Sequence, residues 1–394
     1  MKIAILTSGI LPVPAVQGGA VENLVDFYLE YNDHHKLHDI TVYSVWHPDV
    51  KKHPALESEV NHYKYIKLTG WWARLKRKIY QRTHSNEYYN HHIEYFFEEA
   101  YNNLKKNKYD MIILENRPGY AYKLAARGHN CIVLHLHNDL LNQGSKHASQ
   151  ILDSIKKILT VSDYIKKRVQ TIKVDNKIQT VHNGIDIEKF SCQSSNSISR
   201  QSYGFSADDF MILFSGRINK DKGISELIDA MLLLKEYPHI KLLVLGSTFF
   251  GNATNEDTFV QMLKEKTREL TDRIVFTGFI PYAEIPHYLS LANIAAIPSV
   301  WDDPFPTTVL EAQAMGLPII TTKRGGIPEE VTEDNAILLD TDEHFVDNLA
   351  SAILELYQHP EKRKQMSEAS LQRSRLFNKE TYASNFLKAI QDEQ

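Results

Sequence analysis

The sequence predicts an α/β protein of two successive doubly wound parallel sheets, with ligand at the carboxyl ends of the strands and in the cleft between the domains. Three observations carry that prediction. Short apolar runs alternate with amphipathic stretches along nearly the whole chain, a polar serine-rich segment interrupts them after Phe190, and the alternation then begins again. A length of 394 residues suits two or three domains.

In the first half, Lys2–Leu6, Ile40–Val45, Met111–Leu114, Ile132–His137 and Ile158–Val161 are apolar runs of strand length. Their continuity suits strands buried on both faces. Val21–Tyr31 and Tyr88–Asn103 carry helical patterns between them. Ser191–Ser202 has no periodicity and reads as a linker. Beyond it, strands are expected at Phe210–Ser215, Lys241–Leu245, Ile274–Thr277, Ile294–Pro298 and Pro318–Thr322, with helices at Ile224–Leu234 and Thr258–Leu270. A last helix, about Lys379–Gln391, follows the complete second domain. The expected divisions are therefore 1–190, a linker at 191–202, 203–376, and a C-terminal segment at 377–394.

Composition narrows the function. A hydrophobic fraction of 43% with 24% charged residues excludes disorder. Lys+Arg number 45 against 49 Asp+Glu, which gives no reason to expect a nucleic-acid partner. The charge is uneven: residues 1–190 hold 26 Lys+Arg and 20 Asp+Glu, and residues 191–394 hold 19 and 29. Such asymmetry suggests that the halves face different partners. Only Cys131 and Cys192 are present, which excludes a disulfide framework and favours a reducing cytosol. No run is long enough to span a bilayer. The opening apolar run stops at Thr7-Ser8-Gly9, before a signal core could form. A cytoplasmic protein is expected.

Several motifs are missing. No G-x-G-x-x-G follows the first strand, and there is no P-loop, zinc-spaced Cys/His cluster, H-E-x-x-H or nucleophile elbow. What remains is a set of strand-to-helix junctions suited to phosphate. Gln17-Gly18-Gly19-Ala20 precedes a helix whose first turn includes Glu22; adjacent glycines let backbone N–H groups approach an anion, although a plain turn is the alternative. Ser215-Gly216-Arg217 through Lys222-Gly223 offers a planar guanidinium and a point charge to a pyrophosphate, or is simply a solvated basic loop. Ser299 through Glu311 is the richest junction. There Thr308 and Glu311 read as a capping box, Gly316 and Pro318 as the helix stop, and the N–H groups of Thr307–Leu310 as a phosphate cradle. Asp303 could accept bonds from sugar hydroxyls or serve as a turn residue before Pro304. In His135-Leu136-His137-Asn138-Asp139, period two puts both histidines on one face, with His137 at the ligand-bearing strand end. A packed or capping histidine is the plainer reading.

Together these residues resemble the retaining, nucleotide-sugar-dependent glycosyltransferases of family 4, which have two Rossmann-like domains in the GT-B architecture. The resemblance covers Gly18-Gly19, His137-Asn138, Val161-Ser162, Asn183-Gly184-Ile185-Asp186, Gly216-Arg217, Lys222-Gly223, Phe276-Thr277-Gly278-Phe279 with Pro281, and Pro298-Ser299 through Glu311-Ala312 and Gly316-Leu317-Pro318. It implies that Arg217 and Lys222 neutralise the donor diphosphate and that Glu311 holds the ribose hydroxyls. It implies further that Phe279 and Ile280 touch the base by their backbone, and that His137 lines the donor sugar beside Asp303. Gly18, Gly19, Gly216, Phe305, Pro306, Thr307, Thr308 and Val309 would complete the donor site, and Glu22, Asn138 and Arg117 would lie on the acceptor side. The family also implies a C-terminal helix crossing back to the first domain. One departure is Asp303, where the family has glutamate. The shorter side chain must shift its sugar contact by about 1.5 Å.

The expected activity is transfer of a hexose from a nucleotide diphosphate sugar to a hydroxyl of a glycan or lipid-linked acceptor, with retention and without a metal or other cofactor. The expected setting is cell-surface polysaccharide assembly, such as a capsule. The rival class is a catalytically inactive, nucleotide-sugar-binding partner of a glycosyltransferase complex, motivated by Asp303. A sugar-nucleotide epimerase or a phosphorylase would keep the architecture, but no residue favours either. One further expectation rests on residues alone. Between Glu59 and Glu87 there is no acidic residue, whereas Lys64, Lys67, Arg74, Lys76, Arg77, Lys78 and Arg82 are interleaved with Trp71, Trp72 and tyrosines. Trp71, Leu75 and Ile79 have helical spacing, so Trp71–Arg82 could lie on an anionic membrane surface, peripheral at the inner face of the cytoplasmic membrane. A solvated basic helix with its aromatics packed on the core is the alternative.

Overall fold

The computed structural model describes residues 1–84, 88–191, 198–247 and 258–391. It forms two compact units, Met1–Asn183 with Lys379–Gln394, and Gly184–Asn378. Half of the segment expected as a linker, residues 192–197, lies outside the described residues, and Arg200–Tyr203 forms a short 3-10 helix. The division falls earlier, after Asn183, because the chain is already tied to second-unit residues there. The Ile185 N–H donates to Phe377 O at 2.7 Å, and the Phe190 ring lies 5.6 Å from that of Tyr282.

The first unit holds strands β1 (Lys2–Leu6), β2 (Asp39–Val45), β3 (Asn61–Ile66), β4 (Met111–Glu115), β5 (Ile132–Leu136), β6 (Lys157–Thr160) and β7 (Ile178–Thr180). They pair in the order β3-β2-β1-β4-β5-β6-β7, every pair parallel. The second unit holds β8 (Phe210–Ser215), β9 (Ile240–Leu245), β10 (Ile274–Gly278), β11 (Ile294–Ile297), β12 (Ile319–Thr322) and β13 (Ala336–Leu339), ordered β10-β9-β8-β11-β12-β13. The two orders share one scheme. In each, the chain runs outward from a first strand and then returns to its other side, so the order reverses between β1 and β4 and between β8 and β11. Ligands of such sheets bind beyond the carboxyl ends of the strands at that reversal.

The central strands form where apolar runs were expected, since parallel strands are covered on both faces. The edge strands β3 and β7 carry no such signal because polar residues alternate with apolar ones, whereas the short apolar run of β13 was not among the expected strands. In β3, His62 and Lys64 point outward between buried Asn61 and Ile66. The helix expected from Tyr88 begins at His91, where Asn90 Oδ1 accepts from the N–H groups of His92 and Ile93.

The helix Lys379–Gln391 belongs to the first unit and packs on the helix Ala20–His35. Phe386 stacks on Tyr28 with centroids 4.2 Å apart, and Lys157 Nζ donates to Ala389 O at 2.6 Å. Burying Phe386, Leu387 and Ile390 against β1 and its helix closes one face of the sheet. By contrast, the helix Trp71–Thr83 buries none of its residues: Trp71 and Trp72 are each 67% exposed, and Leu75 and Ile79 are exposed beside them. No helix among the described residues is long and apolar enough to cross a membrane.

Candidate functional site

At the reversal of the second sheet, two loops are fastened to each other. After β8 the chain passes Gly216 and Arg217 to Gly223, whose φ is 70° and whose missing Cβ would lie 1.8 Å from Pro298 O. Only glycine permits that approach. The N–H groups of Val300 and Trp301 both donate to Asp221 O, at 3.0 and 3.2 Å. Lys222 forms an ion pair with Asp303, so the cation of one loop meets the carboxylate of the other. The Asp303 backbone is held in turn by Gly326, whose N–H donates to Asp303 O at 2.8 Å, and by Gly325, where a Cβ would collide with Asp303 O. Arg217 is exposed and makes no ion pair among the described residues.

The third side of this site is the helix Thr307–Ala314. The capping box expected from Thr308 to Glu311 does not form. The cap position falls two residues earlier, on Pro306, which has no side-chain acceptor, and the Thr307 hydroxyl instead bonds the Glu311 carboxyl. Glu311 is buried, and burial pushes its pKa up to about 7 against the opposing pull of Thr307 and Lys189. Lys189, which sequence reasoning did not single out, also lies over the Tyr282 ring at 4.3 Å. Phe305, Pro306 and Val309 are buried, Phe305 edge-on to Phe377 at 5.7 Å, so they offer a ligand backbone rather than side chain. Thr308 is half-buried in the first turn. Phe279 and Ile280 follow β10 on the same strand ends, tied to the site because the Gly246 N–H donates to Gly278 O at 3.0 Å. A cavity of about 360 Å³ lined by Leu289, Asn293, Met315 and Arg363 opens at the opposite, amino ends of β11 and β12 and takes no part.

The reversal of the first sheet is built from buried polar groups. Gly18 and Gly19 have φ of 73° and 105°, and a Cβ on Gly19 would meet Glu22 Oε2 at 2.3 Å. Glu22 is therefore packed beneath its own glycine loop, accepts from Ser8 Oγ at 3.3 Å, and has its pKa pushed up to about 7 by burial. Arg117 is also buried; its Nε donates to Ser8 O at 2.8 Å and its guanidinium lies over Tyr89. His137 and Asn138 follow β5 as expected. His137 Nε2 lies 2.8 Å from Glu115 Oε2, a carboxylate that the sequence reading placed just outside its strand. The place of Glu115 beside the histidines is set by the pairing of β4 with β5, which no residue spacing announces.

The comparisons fall unit by unit. Residues 34–189 match the family model described as Glycosyltransferase Family 4, and residues 195–373 match that described as Glycosyl transferases group 1. The pair of matches supports a glycosyltransferase of the GT1/GT4 type with GT-B architecture. Among relatives, the chain is 28% identical over 384 residues to spore coat protein SA of Bacillus subtilis, covering 94% of this chain and 93% of that protein. It is 25% identical over 226 residues to the lipopolysaccharide 1,2-N-acetylglucosaminetransferase of Salmonella typhimurium, covering 57% of each. Anabaena Alr3699/HepE, solved in complex with UDP, shares the fold at a TM-score of 0.74 and 21% identity, covering 99% of this chain and all of that one. It has also been solved with UDP-glucose.

Proposed function

We propose that the chain transfers a hexose from a nucleotide diphosphate sugar to a hydroxyl of a glycan or lipid-linked acceptor, with retention, in assembly of a cell-surface polysaccharide. The observation that carries the donor half is the convergence of Arg217, Lys222 and the first turn of Thr307–Ala314 at one sheet reversal. The leaving group is a diphosphate, so stabilising its growing charge is the main task. Arg217 supplies a free guanidinium fork. Lys222 exchanges its carboxylate partner for phosphate oxygens, which leaves Asp303 able to accept from sugar hydroxyls. Glu311, close to Lys189 and Tyr282, takes the ribose hydroxyls. HepE's complexes with UDP and UDP-glucose support a donor of this class. Retention without an assigned enzymic nucleophile favours front-side attack, in which the departing phosphate oxygen takes the acceptor's proton. The cations and the helix terminus supply the needed positive charge without a metal.

The acceptor half rests on the lipopolysaccharide relative and on the helix Trp71–Thr83. That helix presents two tryptophans, Leu75 and Ile79 beside Arg74, Lys76 and Lys78, as an interfacial helix on an anionic surface would. We infer peripheral attachment at the inner face of the cytoplasmic membrane. Two experiments test this reading. A panel of nucleotide sugars offered with lipid-linked acceptors should give a mass-resolved glycosylated product; persistent donor binding without turnover would instead make the chain a non-catalytic partner. Co-sedimentation with liposomes containing anionic lipid should be lost when Arg74, Lys76, Arg77 and Lys78 are all changed to Glu. Equal sedimentation of both proteins would remove the membrane assignment.

A further inference from the structure

Glu115 ends β4 with its side chain fully buried. Its Oε2 faces His135 Nδ1 at 3.1 Å and His137 Nε2 at 2.8 Å, and its Oε1 accepts from the Tyr28 hydroxyl at 2.9 Å. A buried carboxylate persists only when donors occupy its lone pairs, and three do so here. Burial alone would raise its pKa; the two imidazoles and their hydrogen bonds outweigh that and hold it below the usual carboxylate range. An ionised carboxylate can only accept, so each imidazole nitrogen facing it carries the hydrogen.

His137 is neutral in the neutral range, because burial, and then His135 beside it, push its pKa down to about 4. A neutral imidazole has one N–H, and Glu115 takes it at Nε2. His137 Nδ1 is then a bare lone pair, buried and without a partner among the described residues. The backbone is fixed as well. Asn116, next to Glu115, sits at φ 59°, and its Oδ1 accepts from the His137 N–H at 3.2 Å. Asparagine is one of the few residues that adopt the left-handed region readily, and here that turn brings its Oδ1 to the His137 N–H. Around the cluster, Tyr28 comes from the helix Ala20–His35 and Tyr382 and Phe386 from the helix Lys379–Gln391, with Phe386 5.0 Å from the His135 ring. Glu22 is a further titratable group within electrostatic reach of the carboxylate.

We propose that Glu115 is a positioning residue that fixes His137 as the Nε2–H tautomer and so presents Nδ1 as the hydrogen-bond acceptor for a hydroxyl of the bound sugar. The sugar contact rests on the function proposed above; the tautomer does not. The logic is that of a carboxylate orienting an imidazole through one nitrogen so that the other is committed to its task.

The test is a long-range ¹H–¹⁵N correlation spectrum of the full chain labelled with ¹⁵N-histidine, with His137 assigned by its loss in His137→Gln. The native chain should show His137 protonated at Nε2 only, from pH 8 down to about pH 5. In Glu115→Gln, whose amide can donate to a ring nitrogen, the tautomer should change or mix. Turnover of the nucleotide sugar should fall more than tenfold while the Kd for UDP, which lacks the sugar, moves less than twofold. Protonation of His137 at Nδ1 in the native chain at pH 7 would overturn the proposal. Stoichiometric Zn²⁺ uptake lost in Glu115→Gln would also overturn it, because the three ligand atoms lie within 4.8 Å of one another and would then be a metal centre. A changed tautomer with undiminished turnover would overturn the sugar contact alone, whereas loss of turnover in Arg217→Ala reports on the proposed function separately.

Discussion

The two sheet reversals share a topology and differ in how their polar groups are kept. In the first unit the charged groups at the strand ends are buried and mutually satisfied: Glu115 by Tyr28 and two histidines, Arg117 by the Ser8 carbonyl, Glu22 by Ser8. In the second, the guanidinium of Arg217 is exposed and Lys222 is held by one exchangeable carboxylate. One fold scheme thus yields a preorganised, nearly neutral surface in one unit and an unneutralised cationic one in the other. The difference teaches that the strand order fixes only where a ligand binds, and the loop chemistry fixes which part of it. A diphosphate suits the second reversal and sugar hydroxyls suit the first.

The comparison breaks most visibly if the cations are not what the second reversal contributes. Arg217→Ala and Lys222→Ala should each lower donor turnover by about a hundredfold or more, as loss of a charge-stabilising donor does in other enzymes. Steady-state assay with the preferred nucleotide sugar measures it, and near-normal turnover in both variants would remove the diphosphate from this loop. A second, smaller effect concerns what holds the first reversal together. Phe386 is fully buried between Tyr28 and His135, so Phe386→Ala should destabilise the first unit by about 3–4 kcal/mol. Denaturant unfolding monitored with and without UDP, which under the proposed function binds and protects the second unit, separates the two transitions.

How much of this the residues disclosed follows the same contrast. The loop after β8 stands out in the sequence because glycine, arginine and lysine gather at a strand-to-helix junction, and the loop after β11 because two carboxylates, Asp303 and Glu311, flank a helix start. Glu115 was not legible: a single carboxylate after an apolar run gives no period and no spacing, and its meaning depends on β4 lying beside β5. The capping box at Thr308 failed because the same residue pattern, Thr followed three positions later by Glu, also fits a helix capped two residues earlier by Pro306. Edge strand β3 was hidden because its outward residues dilute the apolar run. The helix Trp71–Thr83 was legible as a helix, but only the structure shows that its aromatics stand in solvent.

Glu330 sharpens the comparison from the other side. It is fully buried in the second unit, both carboxyl oxygens lack a partner among the described residues, and burial, with Asp303 and Glu329 adding to it, pushes its pKa well above the usual carboxylate range. Its carboxyl oxygens are the reverse of those of Glu115, which three donors occupy. Glu330→Met should therefore stabilise the second unit by about 2 kcal/mol, the order of the desolvation cost of an unpaired buried polar group. Thermal unfolding measures it, and a drop in stability would mean that the carboxyl has a partner and a role.

The smallest expected effect is on pH dependence, and it distinguishes two carboxylates of the same unit. Glu22 keeps its proton to about pH 7 in the folded chain because it is buried, whereas in the unfolded chain it loses that proton near 4.5. Between those values the folded state binds more protons than the unfolded state, so stability falls as pH rises through the window. Glu115 runs the other way. Its pKa is held low, so its contribution is present above the unfolded value and is lost as pH falls through the folded one. The two slopes lie in different pH ranges, Glu22 acting from about 4.5 to 7 and Glu115 below about 4.5. Glu22→Gln should flatten the decline in the melting midpoint between pH 5 and pH 8 by the equivalent of at least about 1 kcal/mol. It should leave the acid limb unchanged. A variant that melts with an unaltered slope from pH 5 to pH 8 would show that Glu22 is ionised in the folded protein, and the buried, neutral character assigned to the first reversal would fail at that residue.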